Sequence, residues 1–388
     1  MRKGFGRLGA LMAIGVLAAA CGGGDEAAKQ VQQPPPPPVA ADTTPAPTTT
    51  VATPAPAKPT LAELQATALK TIADAMNAHD AAKFVSAYTD DVSSNQFGMP
   101  PVASKADLQK NIQMYFDTYK DMKFWVTRTW TKNDVVATEW GWSGTDTGGF
   151  MGAKPTEKPA GSMGMTVAWF TPDGLIKKED RYVDLPTSMT QLGLAKGKAK
   201  PVPTMATSVE AHVAKGTADE DKQVDWAKAI YTSMDTHKSA DFLGALDDNS
   251  DFMDASAATP APMKGKAEAK KFFDMWTKAF PDSKTTLNNV MSVENFVIVE
   301  SEMTATQKGP IGPIAATKKP VDIHSVDVYQ VANGKMIHGW SYSNSGELMM
   351  QIGVMKAPPA AGAAADAKAN PDKGGKGAKG STPTPPKK

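Results

Sequence analysis

The stretch DGLIKKEDRYVD, residues 173–184, returns later in the chain as NGKMIHGWSYSN, residues 333–344, at a shift of 160. Two other anchors repeat at nearly the same distance. The segment MNAHDAAKF at 76–84 returns as MDTHKSADF at 234–242, a shift of 158, and the tripeptide QLG returns as QIG at a shift of 160. Self-similarity at a near-constant shift over separated anchors indicates a duplicated unit. The sequence therefore predicts two copies of one domain.

Each copy carries the same order of predicted elements. In the first copy, apolar residues recur at helical spacing from Leu61 to Met76, directly after Thr60, which is an acceptable N-cap residue. A short second helix and a third helix follow, and then come four segments rich in aromatic and β-branched residues that predict strands. Three helices followed by an antiparallel sheet predict an α+β domain with its helices on one face of the sheet.

The N-terminal residues predict a signal peptide of the lipoprotein type. MRKGFGR is cationic, and LGALMAIGVLAAA is an apolar run too short to span a bilayer as a stable helix. The run stops at Cys21, the one cysteine of the chain, after small residues that resemble a bacterial lipobox. Leu17 lies one position earlier than the usual spacing, so an ordinary secretory signal with an incidental cysteine is the alternative. We predict a lipid anchor at Cys21 and a location in the bacterial cell envelope.

Composition divides the rest of the chain into ordered and disordered parts. The segments before the first copy and after the second are rich in proline and small residues without hydrophobic periodicity, which predicts a tether and a basic tail. Between the copies lies a predicted linker, in which SVEAHVAKG is compatible with a short helix. In chain order, the predicted parts are a signal peptide at 1–21, a tether at 22–59, a domain at 60–194, a linker at 195–218, a domain at 219–356 and a tail at 357–388.

Charge and residue types argue against several classes of function. Lys and Arg number 42 against 41 Asp and Glu, so no net field predicts a nucleic-acid partner. With a single cysteine, no disulfide forms within the chain. His324 and His338 lie on adjacent predicted strands, but two histidines without a carboxylate make a poor metal site. Since the sequence also has no phosphate loop or nucleotide fingerprint, neither a metal nor another cofactor is predicted.

Several strings of the second copy resemble the SnoaL-like polyketide cyclase family of the nuclear transport factor 2-like superfamily. They are AFPDSKTTLNN, the Gly/Pro-rich GPIGPIAATKKPV, and NGKMIHGWSYSN. The first copy keeps GGFMGAKPTEKPA, DRYVD and QLG, and the resemblance covers roughly residues 61–194 and 220–355. It implies two tandem cone-shaped α+β barrels, each with three helices packed against a curved antiparallel sheet over a mostly apolar cavity.

The last strand of the first copy carries the candidate catalytic residues. Since alternate residues of a strand share a face, Asp180, Tyr182 and Asp184 point one way, and Glu179 and Arg181 point the other. If the first set faces the cavity, the resemblance implies proton abstraction next to a carbonyl. We then predict Asp184 as general base, Asp180 as its partner and Tyr182 as donor to an enolate, because burial raises a carboxyl pKa. The alternative is that this charged run lies on a solvated face.

Aromatic residues are the candidates for ligand binding. The predicted residues are Tyr88, Trp140, Trp142 and Trp169 of the first copy, and Trp340, Tyr342 and Asn344 of the second. Trp340 and Tyr342 match the family's tryptophan and tyrosine, and Asn344 stands at the position of its terminal acid. A cavity lined by indoles suits a flat apolar ligand, although the same rings can fill a core.

Two functions follow from these observations. In the first, a lipid-anchored envelope protein binds a small hydrophobic molecule without chemistry. In the second, the first domain is a polyketide cyclase- or isomerase-like enzyme and the second domain is its structural partner. The predicted partners are the small hydrophobic molecule and a membrane reached through the lipid anchor only. The two domains are expected to pack sheet to sheet as an internal pseudo-dimer.

Overall fold

The structure is a computed structural model that describes residues 58–257 and 261–356. The predicted signal peptide, Cys21, the tether up to residue 57 and the basic tail lie outside the described residues. Both domains belong to one compact unit. Within the described ranges, none of the helices is long and apolar enough to cross a membrane.

The first domain consists of four helices and six strands. The helices are α1 (Leu61–Ala78), α2 (Ala81–Val85), α3 (Lys105–Thr118) and α4 (Leu185–Leu192). The strands are β1 (Tyr88–Gln96), β2 (Lys123–Lys132), β3 (Val135–Thr145), β4 (Pro159–Phe170), β5 (Ile176–Val183) and β6 (Glu210–Val213). They form one sheet in the order β1-β5-β4-β3-β2-β6.

The second domain repeats five strands of this arrangement, and its additional short strand lies at the opposite edge of the sheet. Its helices are α5 (Ala218–Asp235), α6 (Ser239–Gly244), α7 (Gly265–Ala279) and α8 (Ser345–Gln351). Its strands are β7 (Leu246–Asp254), β8 (Met263–Lys264), β9 (Lys284–Val293), β10 (Phe296–Thr306), β11 (Pro320–Ala332) and β12 (Lys335–Ser343). The sheet order is β8-β7-β12-β11-β10-β9. The predicted fold class, two tandem cone-shaped α+β domains, is confirmed.

The first helix of each domain begins with a capping box. Thr60 Oγ1 accepts the backbone N–H of Glu63 at 3.3 Å, and the Glu63 carboxylate accepts the N–H of Thr60 at 2.7 Å. Thr217 and Glu220 repeat the arrangement at α5, at 3.3 and 3.1 Å. A cap of this kind satisfies N–H groups that the first turn leaves open and contributes about 1 kcal/mol.

Each domain contains a strand that the sequence pattern does not indicate. β1 reads YTDDVSSNQ and β7 reads LDDNSDFMD, and neither shows a regular alternation of apolar and polar residues. Both pair in parallel with the last long strand of their domain, β5 and β12 respectively, with interruptions of register. The sheets are therefore mixed, not purely antiparallel as predicted. A parallel partner that is distant in sequence leaves no local turn signal.

The linker contains a strand, not the short helix that its sequence would allow. β6 pairs in parallel with β2, and the register places Glu210 opposite Arg128 and His212 opposite Trp130. The rings of His212 and Trp130 stack with centroids 6.0 Å apart. The extended form is favoured because it covers hydrogen-bonding groups at the edge of β2 that would otherwise stay open.

Each sheet packs against its own helices on one face and against the other sheet on the opposite face. The core between the two sheets is formed by Trp130, Ala137, Met165, Val167 and Tyr182 of the first domain and by Met291, Val293, Phe296, Ile298, Val326, Val328 and Tyr342 of the second. Separate cores lie on the helix side of each sheet. Because both faces of both sheets are covered, polar side chains on either face are buried and need partners.

Candidate functional site

A cavity of about 100 Å³ lies between the helices and the sheet of the first domain. Its helical wall includes Leu69, Ile72 and Met76 of α1 and Ile112 of α3. The residues of its sheet wall include Phe124, Val126, Thr138, Trp140, Trp142, Thr166 and Ala168. Since most of these side chains are apolar, the cavity favours an apolar occupant.

Two indoles of β3 face the cavity with their polar edges already satisfied. Trp140 Nε1 donates to Thr166 Oγ1 at 2.9 Å, and Trp142 Nε1 donates to Ser162 Oγ at 3.0 Å. Gly164 makes room for the first ring, because a Cβ at this position would lie 2.5 Å from a ring carbon of Trp140. The indoles therefore need no polar group from a ligand, and they offer apolar surface.

One part of the cavity wall is a buried polar network around Glu179. Tyr88 Oη donates to Glu179 Oε2 at 2.9 Å, and Ser94 Oγ donates to Oε1 at 2.6 Å. Arg181 Nε lies 2.9 Å from Oε1 and neutralises the carboxylate. Burial and the charge of Glu179 raise the pKa of Tyr88 well above its usual value, so its hydroxyl stays a donor. Burial alone would lower the pKa of Arg181, but Glu179 raises it and the guanidinium keeps its charge.

The alternation of β5 is as predicted, but the cavity lies on the other side of the strand. Glu179, Arg181 and Val183 line the cavity. Asp180 and Tyr182 point toward the second domain, so the condition on which their catalytic roles depended, that they face the cavity, is not met. The physical reason is that both faces of this sheet are buried. The polarity of a strand then does not reveal which face meets the helices.

Asp180 and Tyr182 take part in polar contacts on the sheet face toward the second domain. Tyr182 Oη donates to Glu300 Oε1 of that domain at 3.0 Å. Asp180 lies 2.8 Å from Lys178 Nζ and accepts a hydrogen bond from Asn95 Nδ2 at 2.8 Å. Both side chains are buried, so they lie neither in the cavity nor on the solvated face that was the alternative prediction.

Asp184 caps α4 and connects it to the second domain. Its Oδ2 accepts the N–H of Thr187 at 3.0 Å, and its Oδ1 accepts the N–H of Ser345 at 2.9 Å. Burial raises the pKa of Asp184, while the hydrogen bonds from Ser345 and Thr187 act to lower it. Because both oxygens are engaged and the residue lies outside the cavity, its geometry is that of a cap.

The sequence model of the SnoaL-like polyketide cyclases matches residues 66–192 and 224–352, one segment in each domain. The chain belongs to this family. Among curated proteins, none matches the chain.

Solved structures similar to this SnoaL-like chain each cover about one domain. AclR from Streptomyces galilaeus is 18% identical, covers 35% of this chain and 98% of its own, and has a TM-score of 0.32. A candidate SnoaL-like polyketide cyclase from Jannaschia sp. CCS1 is 18% identical, covers 37% and 97%, and has a TM-score of 0.33. TsrD from Streptomyces laurentii is 15% identical, covers 36% and 100%, and has a TM-score of 0.33.

In the first SnoaL-like domain, the predicted ligand-binding residues divide into two groups. Tyr88, Trp140 and Trp142 line the cavity. Trp169 lies outside it, against the core between the sheets, and Lys178 Nζ lies 4.0 Å from its ring centroid. The position of Trp169 follows from β4, where the preceding residue faces the cavity and Trp169 must face the other way.

In the second SnoaL-like domain, the predicted residues Trp340, Tyr342 and Asn344 lie at the contact with the first domain. Arg128 Cζ lies 3.9 Å from the ring centroid of Trp340. Tyr342 Oη donates to the carboxylate of Glu139. Trp340 also lines a cleft of about 490 Å³ between the domains. Asn344 caps α8 with its side chain.

The interior of the second SnoaL-like domain holds an acid that the sequence analysis missed. Tyr231 Oη donates to the carboxylate of Asp327 and lies 3.2 Å from Tyr329 Oη. Burial raises the pKa of Asp327 to about 6, although hydrogen bonds from Ser341 and Tyr231 act to lower it. A signal was present in the sequence, because Asp327 is the one charged residue of the strand segment SVDVYQV and has a valine on either side.

Proposed function

We propose that the first domain binds a small, mainly apolar molecule in the cavity between its helices and its sheet. The observation that carries this proposal is the space of about 100 Å³ walled by aliphatic and aromatic side chains. Protein interiors are close-packed and contain few voids larger than a water molecule. An apolar cavity of this size between well-packed elements therefore favours a role in binding.

The polar network in the cavity wall supports binding over proton abstraction. A general base needs a carboxylate oxygen that can accept a proton from the substrate. Both oxygens of Glu179 already accept hydrogen bonds, and Arg181 neutralises the charge. Asp184, the predicted base, does not line the cavity. Cyclase- or isomerase-like chemistry in the first domain thus has less support than binding.

The volume sets the size of the ligand. An apolar cavity of about 150 Å³ in another protein accepts benzene, and sites for drug-sized molecules span roughly 300–1,000 Å³. A space of about 100 Å³ is smaller than that benzene-binding cavity, so it is suited at most to a single small ring or a short acyl chain. Arg181 has further N–H donors beyond the one that faces Glu179, so it is suited to bind one polar group of the ligand.

Binding is testable on the full-length protein with a graded set of probes. Benzene, phenol, toluene and naphthalene are titrated while thermal unfolding and the NMR signals of the tryptophan indole N–H groups are recorded. We expect the single-ring probes to raise the unfolding temperature and to shift the signals of Trp140 and Trp142, since a ligand that binds the native state stabilises it. Naphthalene is expected to have a weaker effect because it exceeds the cavity.

A matched pair of variants locates the binding site. Val126→Phe fills the cavity and is expected to abolish the effect of the probes. Val135→Phe is the control, because Val135 lies on the neighbouring strand and packs toward the core between the sheets. No effect of any probe on the parent protein, or equal loss in both variants, would contradict the proposal.

Asp327 favours a second candidate function, acid–base chemistry in the second domain. Asp327 also accepts hydrogen bonds, but unlike Glu179 it pairs with no cation among the described residues, and a carboxyl group with a pKa of about 6 is suited to exchange a proton near neutral pH. The assay is isomerisation of a small β,γ-unsaturated ketone, followed by the ultraviolet absorbance of the conjugated product. Turnover that disappears in Asp327→Asn supports this function. No turnover, or turnover that the substitution leaves unchanged, argues against it.

We further propose that lipid on Cys21 anchors the protein to a bacterial membrane. The support is in the sequence, where a cationic start and a short apolar run precede the one cysteine of the chain. The test is fractionation of cells that express the full-length protein or Cys21→Ser, with mass analysis of the mature N-terminus. A Cys21→Ser protein that stays in the membrane fraction, or an unmodified Cys21, would disprove the anchor.

A further inference from the structure

We propose that Glu302, Asp322 and His324 bind a divalent transition-metal ion, with Zn²⁺ as the leading candidate. One ligand atom from each of the three side chains lies within 4.8 Å of the other two. An imidazole nitrogen with two carboxylate oxygens is a donor set that suits Zn²⁺, and related first-row metals compete for the same set.

The geometry of two neighbouring strands brings the three side chains together. In the antiparallel pair of β10 and β11, Glu302 lies directly opposite His324. Asp322 precedes His324 by two residues and therefore projects from the same face of β11. That face is turned toward the first domain, because the ring of Phe97 stacks on the ring of His324 with centroids 4.1 Å apart. The cluster is thus held by regular backbone pairing.

One oxygen of Asp322 is available to a cation in the described part of the chain. Asp322 as a residue is partly exposed, but its Oδ1 is shielded from solvent and accepts no hydrogen bond within residues 58–257 and 261–356. Leaving a buried polar atom unpaired is unfavourable by about 1–3 kcal/mol, and more for a charged group. A cation bound next to Asp322, Glu302 and His324 would remove this penalty.

The histidine is oriented as a metal ligand. His324 Nδ1 lies 3.0 Å from Glu347 Oε1, and the backbone N–H of His324 donates to Glu347 Oε2 at 3.1 Å. Metal-binding histidines commonly donate a hydrogen bond from one ring nitrogen to a carboxylate. This contact fixes the orientation of the ring and leaves the other nitrogen free to bind the metal. Here Glu347 holds Nδ1, so Nε2 is the nitrogen for the ion.

This site is not evident from the sequence pattern, because only Asp322 lies near His324 along the chain. Glu302 reaches His324 only through strand pairing, and Glu347 reaches it from α8. Three protein ligands leave one position of a tetrahedral Zn²⁺ site open for water or a small anion. We therefore expect an exchangeable site, not a closed structural one.

The test is metal binding to the full-length protein after treatment with a chelator. Zn²⁺ is titrated by calorimetry, and Co²⁺ is used as a spectroscopic probe through its visible absorption bands. We expect one ion per chain at this site and a higher unfolding temperature with the metal. Glu302→Gln and Asp322→Asn keep the side-chain size and are each expected to weaken binding by at least about tenfold. His324→Ala is expected to abolish it.

Two further variants distinguish a metal site from a general structural effect. Glu347→Gln is expected to weaken binding by about 10- to 100-fold, because it loosens the histidine without removing a ligand. His338→Ala is the matched control, since His338 Nδ1 lies 2.8 Å from Asp251 Oδ1 in the same domain but does not belong to the cluster. Circular dichroism checks the fold of each variant. No metal binding to the parent protein, or binding that Glu302→Gln and Asp322→Asn leave unchanged, would overturn the proposal.

Discussion

Tyr182 of the first domain donates a hydrogen bond of 3.0 Å to Glu300 of the second domain, across the contact between the two sheets. Tyr342, which takes the place of Tyr182 in the repeat, donates in the opposite direction to Glu139. The two glutamates differ in their other partners. Glu139 pairs with the guanidinium of Arg128, whereas Glu300 accepts from Asn289 at 3.1 Å. The tyrosines kept in both copies therefore connect the domains.

Removing the hydroxyl of Tyr182 is expected to destabilise the protein. Tyr182→Phe leaves buried Glu300 with one donor fewer, and we expect the free energy of unfolding in urea to fall by about 1–3 kcal/mol. Tyr119→Phe is the control, because the Tyr119 hydroxyl is buried without a hydrogen-bond partner in the described part of the chain. That substitution is expected to be neutral or stabilising. An equal loss in both variants would show that the contact with Glu300 contributes nothing.

The ion pair of Arg128 and Glu139 is expected to be sensitive to loss of one partner. Both side chains are nearly buried, with 12% and 7% of their surfaces exposed, and Trp340 covers the guanidinium. Arg128→Met keeps much of the apolar stem but leaves the Glu139 charge unpaired, so we expect a loss of about 3–5 kcal/mol in urea unfolding. Lys70→Met removes an exposed ion pair with Asp74 and is expected to change little. A small effect of Arg128→Met would contradict the burial of this pair.

Asp327 is expected to make stability fall as pH rises. Its pKa in the folded protein is raised to about 6, above the usual value of 3.8, so the folded state holds the proton more tightly. The stabilisation is fully present below the unfolded pKa and is lost as pH rises through the folded pKa. About two pKa units correspond to roughly 3 kcal/mol in total, most of which is lost between pH 4 and pH 7.

The measurement is urea unfolding at several pH values from 4 to 7, on the parent protein and on Asp327→Asn. The variant cannot ionise at this position, so its stability should depend less steeply on pH. Identical slopes for the two proteins would mean that the Asp327 carboxyl is not perturbed in the folded state.

Gly98 is expected to tolerate no side chain. It has φ +82°, and a Cβ there would lie 2.2 Å from Nδ2 of Asn344, which donates to the Phe97 carbonyl. Gly98→Ala therefore combines backbone strain with loss of this contact between the domains. Gly216→Ala is the control, since Gly216 has φ +67° but open space around it, so only strain of about 1–2 kcal/mol applies. We expect Gly98→Ala to lose about 1–2 kcal/mol more than the control in urea unfolding. Equal losses would argue against the Asn344 contact.

The sequence was sufficient for the duplication and for most of the fold. The segment that contains Met76 repeats around Met234, and the segment that ends at Asp184 also has a second copy. The start of α1 follows from the capping chemistry of Thr60. β1 was not predictable from local pattern, because its first residue, Tyr88, pairs in parallel with Ile176, the first residue of a strand far along the chain.

The site was only partly predictable. Tyr88, Trp140 and Trp142 were placed in the cavity by resemblance and alternation, and they lie there. Alternation along β5 predicts that Tyr182 and Arg181 lie on opposite faces of the strand, but it does not predict which face is turned toward the helices. That choice is made by long-range packing, because the second sheet covers the face that a lone domain would expose to solvent.

Asp184 and Asn344 cap α4 and α8, and each also binds a backbone N–H of the other helix. Asp184 Oδ1 accepts from Ser345 at 2.9 Å, and Asn344 Oδ1 accepts from Leu185 at 3.3 Å. Asp184 and Asn344 are equivalent positions of the two copies. In a dimer of identical chains, both positions would carry the same residue, so two buried carboxylates or two amides would lie next to each other. A covalent duplication lifts this requirement. One acid and one amide can then lie side by side. The fused chain therefore has an asymmetric contact that a dimer of identical subunits could not have.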